Sequence, residues 1–352
     1  MPETTLSPSR RRPLGRCRRL AVLLACGVLG LTAPALAPAP AFAGQGTTGG
    51  VRITEFTPPT PDSGPVGITG GPDGNVWFTE QAINKIGRIT PRGRITEFPL
   101  PTPDSLPDDI AAGADGKLWF TEPSSNRIGR ITPRGRVTEF LVPTPDAFPL
   151  GITGGPDGNV WFTENGSNSI GRITPRGRIR EFPLPTPDSF PYRITAGPDG
   201  NLWFTMPFSN RIGRITPHGK VTEFQLPNPE GAPFNITAGP DGNLWFTDGG
   251  GLNHEIGRIT PRGKVTRFPL PTPNSGPIGI TTGRDGNLWF TESNVDRIGR
   301  ITPRGRITEF PLPAPGEGRT PFHIASAPDG NLWFTELIGN RVGRVTVGGR
   351  PG

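Results

Sequence analysis

The 352-residue chain carries 37 Lys and Arg against 30 Asp and Glu, a formal charge of +7. Six of the arginines and one acid fall within residues 1–43, leaving only about +2 for the remainder, which excludes a nucleic-acid binder resting on bulk charge. Both cysteines, Cys17 and Cys26, lie in that same stretch, so the rest of the chain has no disulfide, no Cys-ligated zinc and no Cys nucleophile.

Arg10, Arg11, Arg12, Arg16, Arg18 and Arg19 precede the apolar run from Leu20 to Leu31, and Ala41-Phe42-Ala43 offers a small-x-small cleavage site before Gly44. This pattern predicts a secretory signal over residues 1–43, and the apolar run is too short to span a bilayer as a helix. The expected product is secreted, with no membrane attachment once the signal is removed. Residues 44–50 (Gly-Gln-Gly-Thr-Thr-Gly-Gly) read as a flexible lead-in.

From residue 51 the chain is periodic. Trp77, Trp119, Trp161, Trp203, Trp245, Trp289 and Trp333 are its only tryptophans, 42 to 44 residues apart, each in the phrase Trp-Phe-Thr. Around each lies one unit: Pro-x-x-Ile, an Asp-Gly turn, Trp-Phe-Thr, (Ile/Val)-Gly-Arg and Gly-x-(Ile/Val)-Thr. On residues 65–98 the unit parses as a strand at Val66 to Gly70, a turn at Pro72-Asp73-Gly74 and a strand at Val76 to Glu80. A third strand runs from Ile86 to Thr90 and a fourth from Ile95 to Phe98, with a Pro-Arg-Gly turn between them. Pro99 to Pro107 then connects to the next unit, too proline-rich for a ladder interior.

Four antiparallel strands in about 42 residues form a propeller blade, so the expected fold is an all-β, seven-bladed β-propeller over residues 51–347, with a tail at 348–352. The seventh unit holds only three strands. Val51-Arg52-Ile53-Thr54-Glu55-Phe56 repeats the outer-strand phrase and is expected to close that last blade. Gly87 and its equivalents are expected to admit a close neighbouring sheet. Arg88, Arg130, Arg172, Arg214, Arg258, Arg300 and Arg344 are expected to be structural, pairing with carboxylates or capping carbonyls.

Function is sought where the repeats disagree, and two sets of positions belong to the mouth of the central channel. The residue after Trp-Phe-Thr is Glu80, Glu122, Glu164, Met206, Asp248, Glu292 or Glu336. Those acids form either a negative ring attractive to a divalent cation, or partners for Lys85, Arg127, Arg211, Arg297 and Arg341 across the loop. The pair inside Pro-x-x-Ile varies most: Val66-Gly67, Asp108-Asp109, Leu150-Gly151, Tyr192-Arg193, Phe234-Asn235, Ile278-Gly279 and Phe322-His323. Tyr192, Phe234 and Phe322 make a candidate apolar wall, with Asp108, Asp109, Arg193, Asn235 and His323 as polar handles for a small molecule or peptide, or else as plugs of the channel. Of the three histidines, only His323 falls near the axis, where it is the candidate acid–base group, with Glu336 as carboxylate companion.

Gly-Pro-x-Gly-Ile-Thr, Leu-Trp-Phe-Thr-Glu, Asn-Arg-Ile-Gly-Arg-Ile-Thr and Ile-Thr-Glu-Phe-Pro-Leu-Pro-Thr-Pro closely resemble the streptogramin B (virginiamycin B) lyases. The resemblance covers nearly all of residues 51–347. It implies a seven-bladed propeller that linearises a cyclic depsipeptide antibiotic by Mg²⁺-dependent elimination at its ester bond. The family's active members carry histidine directly after the proline of Pro-x-x-Ile in the last two blades, where this chain has Ile278 and Phe322. The first-blade tyrosine is replaced by Val66, and the acid expected before the last such proline by Thr320. His323 stands one residue late, which in a regular strand turns a side chain to the opposite face unless a bulge intervenes.

Two readings follow. The favoured one is an exported, monomeric ligand- or partner-binding propeller without the family's full catalytic set. The other is an active carbon–oxygen lyase with His323 as base and Glu336 and Glu292 on Mg²⁺. A sugar-lactone hydrolase rests on the carboxylate ring alone.

Overall fold

Each Trp-Phe-Thr strand is apolar or β-branched at successive positions, as a strand covered on both faces requires, and it lies second from the inside of a four-stranded antiparallel sheet. The first blade comprises Pro65–Gly70, Val76–Glu80, Lys85–Ile89 and Ile95–Pro99, from axis to rim. The computed structural model describes residues 45–48, 50–250, 254–313 and 315–348. The expected signal at 1–43, residues 44 and 49 of the lead-in and residues 349–352 of the tail lie outside the described residues.

Seven such sheets follow one another around an axis, the innermost strands meeting in order and the seventh, Pro321–Ser326, returning to the first. The last blade is completed by Val51–Phe56, paired antiparallel with Arg341–Val347 from Val51 opposite Val347 to Phe56 opposite Val342. Gln45–Thr48, inside the expected lead-in, adds a fifth strand on the outside of Val51–Phe56. The amino-terminal segment thus latches the wheel shut.

The core lies between blades. The tryptophan of one blade packs with the phenylalanine of the next: Trp77 with Phe120, Trp119 with Phe162, and so on round to Trp333 with Phe78. On its own blade Trp77 stacks on Phe98 at 5.5 Å and donates its indole N–H to Asp73 Oδ1 at 3.0 Å. The Arg88 guanidinium covers both rings and donates to the Pro133 carbonyl of the next blade at 2.8 Å. Arg130, Arg172, Arg214, Arg258 and Arg344 do the same on theirs, as the expectation of carbonyl capping required. The glycine of Ile-Gly-Arg has a different reason from the one expected. Phe78 lies opposite Gly87 in the same sheet, and a Cβ on Gly87 would sit 2.2 Å from the Phe78 ring. The glycine makes room for its own blade's aromatic, not for a neighbouring sheet.

One contact joins all seven blades at the hub. The threonine hydroxyl of Trp-Phe-Thr donates to the first variable residue's carbonyl in the next blade: Thr79 to Asp108, Thr121 to Leu150, Thr163 to Tyr192, Thr205 to Phe234, Thr247 to Ile278, Thr291 to Phe322 and Thr335 to Val66, at 2.7–2.9 Å. The same oxygen accepts the N–H of the second variable residue in its own blade, from Gly67 to His323, at 2.8–3.2 Å. Replacing Thr291 with valine leaves the Gly279 N–H and the Phe322 carbonyl without these partners. The expected loss is about 2–4 kcal/mol, against under about 2 kcal/mol for Thr291→Ser, which keeps the hydroxyl; urea unfolding measures both.

Candidate functional site

The threonine relay works through a bulge. In the seventh blade the register passes from Pro321 opposite Glu336 to Ile324 opposite Phe334, so Phe322 and His323 together face the single residue Thr335. The same shift recurs in blades one, three, five and six. Blades two and four show it in their hydrogen bonds, Thr121 bonding Asp108 and Asp109, and Thr205 bonding Tyr192 and Arg193. A bulge breaks strand alternation, so consecutive side chains share a side. The rings of Phe322 and His323 accordingly stack at 5.0 Å and 15°. The one-residue displacement of His323 therefore does not send it to the opposite face.

Four polar residues of the variable positions meet. Arg193 Nη1 pairs with Asp108 Oδ2 at 2.5 Å, and Arg193 Nε donates to His323 Nε2 at 3.2 Å. His323 Nδ1 lies 3.9 Å from Asp109 Oδ1, and the Arg193 guanidinium covers the Tyr192 ring at 4.5 Å. These residues come from blades two, four and seven, which are not adjacent, so the contacts cross the axis and plug the channel at this level. Arg193 is 2% exposed and His323 5%. The plug reading of the variable positions applies to these four.

Burial sets the chemistry of the plug. Desolvation works against the guanidinium's charge, but Asp108, Tyr192 and Asp109 outweigh it and hold the Arg193 pKa above the usual arginine value. Burial, and then Arg193, push the His323 pKa well below the ordinary imidazole value. His323 is therefore neutral at neutral pH, and since Nε2 accepts from Arg193, its proton sits on Nδ1, on the Asp109 side. Burial also raises Asp109 to about 6 against the opposing pull of Arg193. Asp109 accepts the Ile110 N–H at 2.9 Å and the Ile152 N–H at 3.1 Å, which fixes it between blades two and three.

Tyr192 and Phe234 meet edge to face at 6.1 Å, so two members of the candidate wall touch, while Phe322 lies buried on His323. Phe234, Asn235 and Ile278 are only half-buried, which makes blades five and six the open side of the plugged hub. Above blades two to four, Leu106, Phe148 and Phe190 hold φ between 49° and 51° directly before the inner-strand prolines, a position that glycine fills in blades one and six. Positive φ is strained for bulky side chains. Phe190 meets Phe208 edge-on at 5.4 Å, and Phe208 is 56% exposed. Phe190 and Phe208 are thus a second aromatic pair, on blade four, which the departures inside Pro-x-x-Ile do not reveal.

The acids after Trp-Phe-Thr do not ring the mouth. Glu80, Glu122, Glu164, Glu292 and Glu336 are fully buried within their blades. Nor do the basic residues pair with them: Lys85 bonds Glu97, Arg297 bonds Glu309 and Arg341 bonds Glu55, all outer-strand acids. Burial first, and then the outer glutamate, raise Glu80 to about 7 and Glu122, Glu292 and Glu336 to about 8. Glu336 is surrounded by Glu55, Arg319 and Arg341. Glu292 and Glu336 thus sit in separate blades as largely protonated carboxyls, and among the described residues no three His, Cys, Asp or Glu side chains converge as metal ligands. Those two residues do not fit a shared Mg²⁺.

A closed wheel of seven similar sheets, with its unlike side chains gathered at one end of the hub, defines a seven-bladed β-propeller with an axial site. The chain matches the Virginiamycin B lyase family over residues 43–189 and 154–351, and it belongs to that family. A virginiamycin B lyase of Bacillus licheniformis is 51% identical over 43 residues, which are 12% of this chain and 15% of that protein's length. A streptogramin B lyase structure is 42% identical over 84% of this chain and 98% of its own, with a TM-score of 0.80. A catalytically inactive variant of the Staphylococcus aureus virginiamycin B lyase, solved with quinupristin, is 42% identical over 84% of this chain and 99% of its own, with a TM-score of 0.79. Hydrazine synthase of Kuenenia stuttgartiensis, 19% identical with a TM-score of 0.68, shares the fold alone.

The buried carboxyls give a pH signature. A carboxyl whose folded pKa is raised binds more protons when folded than when unfolded, so stability falls as pH rises from its unfolded value, 4.5, to its folded one, about 8. His323 acts in the opposite sense only up to the unfolded imidazole value, 6.5. Denaturation midpoints are therefore expected to fall between about pH 6.5 and pH 8.5, and Glu122→Gln is expected to flatten that fall.

Proposed function

We propose that this protein is an exported, monomeric propeller that binds a small apolar molecule or peptide at its hub face and does not carry out the elimination chemistry expected of its family. The observation that carries this reading is the state of His323: its Nε2 lone pair is engaged by Arg193, and its pKa is driven away from neutrality. An imidazole so held is a poor proton acceptor for an external substrate. The positions directly after the inner-strand proline in the last two blades support the same reading, since they hold Ile278 and Phe322. The acids Glu292 and Glu336 face their own blades' outer strands, which gives Mg²⁺ no shared seat there.

The binding surface in this proposal is the open side of the hub. Phe234 and Ile278 supply half-buried apolar area, Asn235 a polar group, and Phe190 and Phe208 an aromatic extension. Concave apolar surfaces with few polar groups suit compact, largely apolar ligands. Streptogramin B is the natural probe because a similar structure is that of a streptogramin B lyase.

Two measurements on the purified protein test this. Incubation with streptogramin B and Mg²⁺, followed by mass spectrometry, is expected to return the intact ring. Calorimetric titration is expected to show binding that Phe234→Ala weakens about tenfold, from the lost burial of one ring. Mg²⁺-dependent ring opening that disappears in His323→Ala would overturn the binding reading in favour of an active lyase. Intact antibiotic with no binding would remove this ligand class.

A further inference from the structure

Six blades place a Lys or Arg beside the carboxyl groups that lie between second and outer strands. Lys85 Nζ contacts both Glu97 Oε2, at 2.7 Å, and Thr60 Oγ1, at 3.1 Å. Arg211 likewise contacts Glu223 and Thr186, and Arg297 contacts Glu309 and Thr272. Arg341 and Arg319 share Glu55 in blade seven, and Arg127 lowers the Glu122 pKa in blade two. Blade five reverses the order, with Arg267 on the outer strand paired to Glu255 on the third. Each of these blades thus carries a cation of its own on this face, in five of them paired with a carboxylate of the third or outer strand.

Blade three does not. Ser169 stands where the Lys or Arg would be, while Glu164 and Glu181 are both kept. Glu164 lies opposite Ser169, and Glu181 opposite Gly171, so all four positions share one face of the sheet. Glu164 is fully buried; its Oε2 accepts from Ser167 at 2.7 Å, while its Oε1, like carboxyl oxygens of Glu80, Glu122, Glu292 and Glu336, has no hydrogen-bond partner. That Oε1 lies 2.7 Å from where a Gly171 Cβ would be, so it is aimed at the residue that faces Glu181. Glu181 accepts from the Thr144 N–H and hydroxyl, both at 3.0 Å. The two arginines on this blade's strands are engaged elsewhere, Arg172 with Asp157 and the Pro217 carbonyl, and Arg180 over the Phe182 ring.

We propose that blade three holds a hard metal cation in the position of the basic side chain, bound by Glu164 Oε1, Glu181 and the Thr144 and Ser169 hydroxyls. Two carboxylates and neutral hydroxyl oxygens form a donor set for Ca²⁺ or Mg²⁺, and a divalent charge balances both acids at once. Glu181 is half-buried, which gives the ion a path from solvent. Burial raises the free Glu164 carboxyl to about 8, with no neighbouring cation to lower it, so a proton is the competitor for this position. The site lies inside a blade, away from the hub, and does not rest on the proposed binding function.

The test is a melting curve of the purified protein at about pH 8.5, chelator-treated and then supplied with CaCl₂ or MgCl₂ at constant ionic strength, with calorimetry for stoichiometry. Wild type is expected to gain several degrees with one of the two ions and to bind one equivalent. Glu164→Gln is expected to lose the gain. Ser169→Arg, which restores the basic side chain of the other blades, is expected to melt higher without metal and to ignore added metal. An unresponsive wild type would show that Glu164 takes a proton instead, and a response retained in Ser169→Arg would place any bound ion elsewhere. Either result overturns the proposal.

Discussion

A single hydroxyl per blade sets the geometry on which the hub depends. The threonine of Trp-Phe-Thr accepts a hydrogen bond from its own innermost strand and donates one to the innermost strand of the next blade. A hydroxyl can do both at once, and the β-branched threonine holds its rotamer firmly, so the spacing between blades is fixed at the axis. To meet that hydroxyl the innermost strand must present two residues against one, and the result is the bulge. The bulge in turn places two consecutive side chains at the hub. The axial chemistry of the propeller is therefore written in seven dipeptides, and the relay is indifferent to what they are because it uses only their backbone groups.

That indifference explains how the hub accommodates an ionic plug. Three of the second positions are glycines whose α-carbons approach the next blade's backbone closely; a Cβ on Gly279 would meet the Phe322 carbonyl oxygen at 2.6 Å. The space these glycines leave is compatible with the larger Asp109, Arg193 and His323 on the following blades. Burying Arg193 with Asp108 adds little net stability by itself, because desolvation offsets most of the attraction. What the pair does is orient the guanidinium so that its Nε points at an imidazole nitrogen. Burial first, and then this arginine on blade four, thus keep the imidazole on blade seven neutral.

Much of this was legible in the chain itself. The tryptophan period gave the number of blades, and the outer-strand phrase at 51–56 identified the closing strand, because strand periodicity and the recurring phrases are local properties. The residues of the plug were also visible as departures from the repeat. Their mutual contacts were not, since Arg193 meets partners 85 and 130 residues away and no local pattern encodes the distance across an axis. The carboxylates were misplaced for a simpler reason. Phe78 and Glu80 lie two residues apart in a regular strand and share a face, so the acid follows the phenylalanine into the blade, not the bulge into the hub. The role of Gly87 is not legible along the chain, because cross-strand register, not spacing, puts a ring over it. The threonine was present in all seven phrases, and that invariance of a polar residue within an apolar strand was the missed signal.

The chemistry of the hub turns on one imidazole. Among the three histidines, His323 is the one whose ring nitrogen is committed to a buried guanidinium, and nitrogen-detected NMR across pH reads that state directly. The expected spectrum shows the Nδ1–H tautomer with no titration around the ordinary imidazole value, about 6.5, and the resonance disappears in His323→Ala. A His323 midpoint near the ordinary imidazole value, about 6.5, would mean that the nitrogen is free to accept a proton, and would contradict the plugged hub described above.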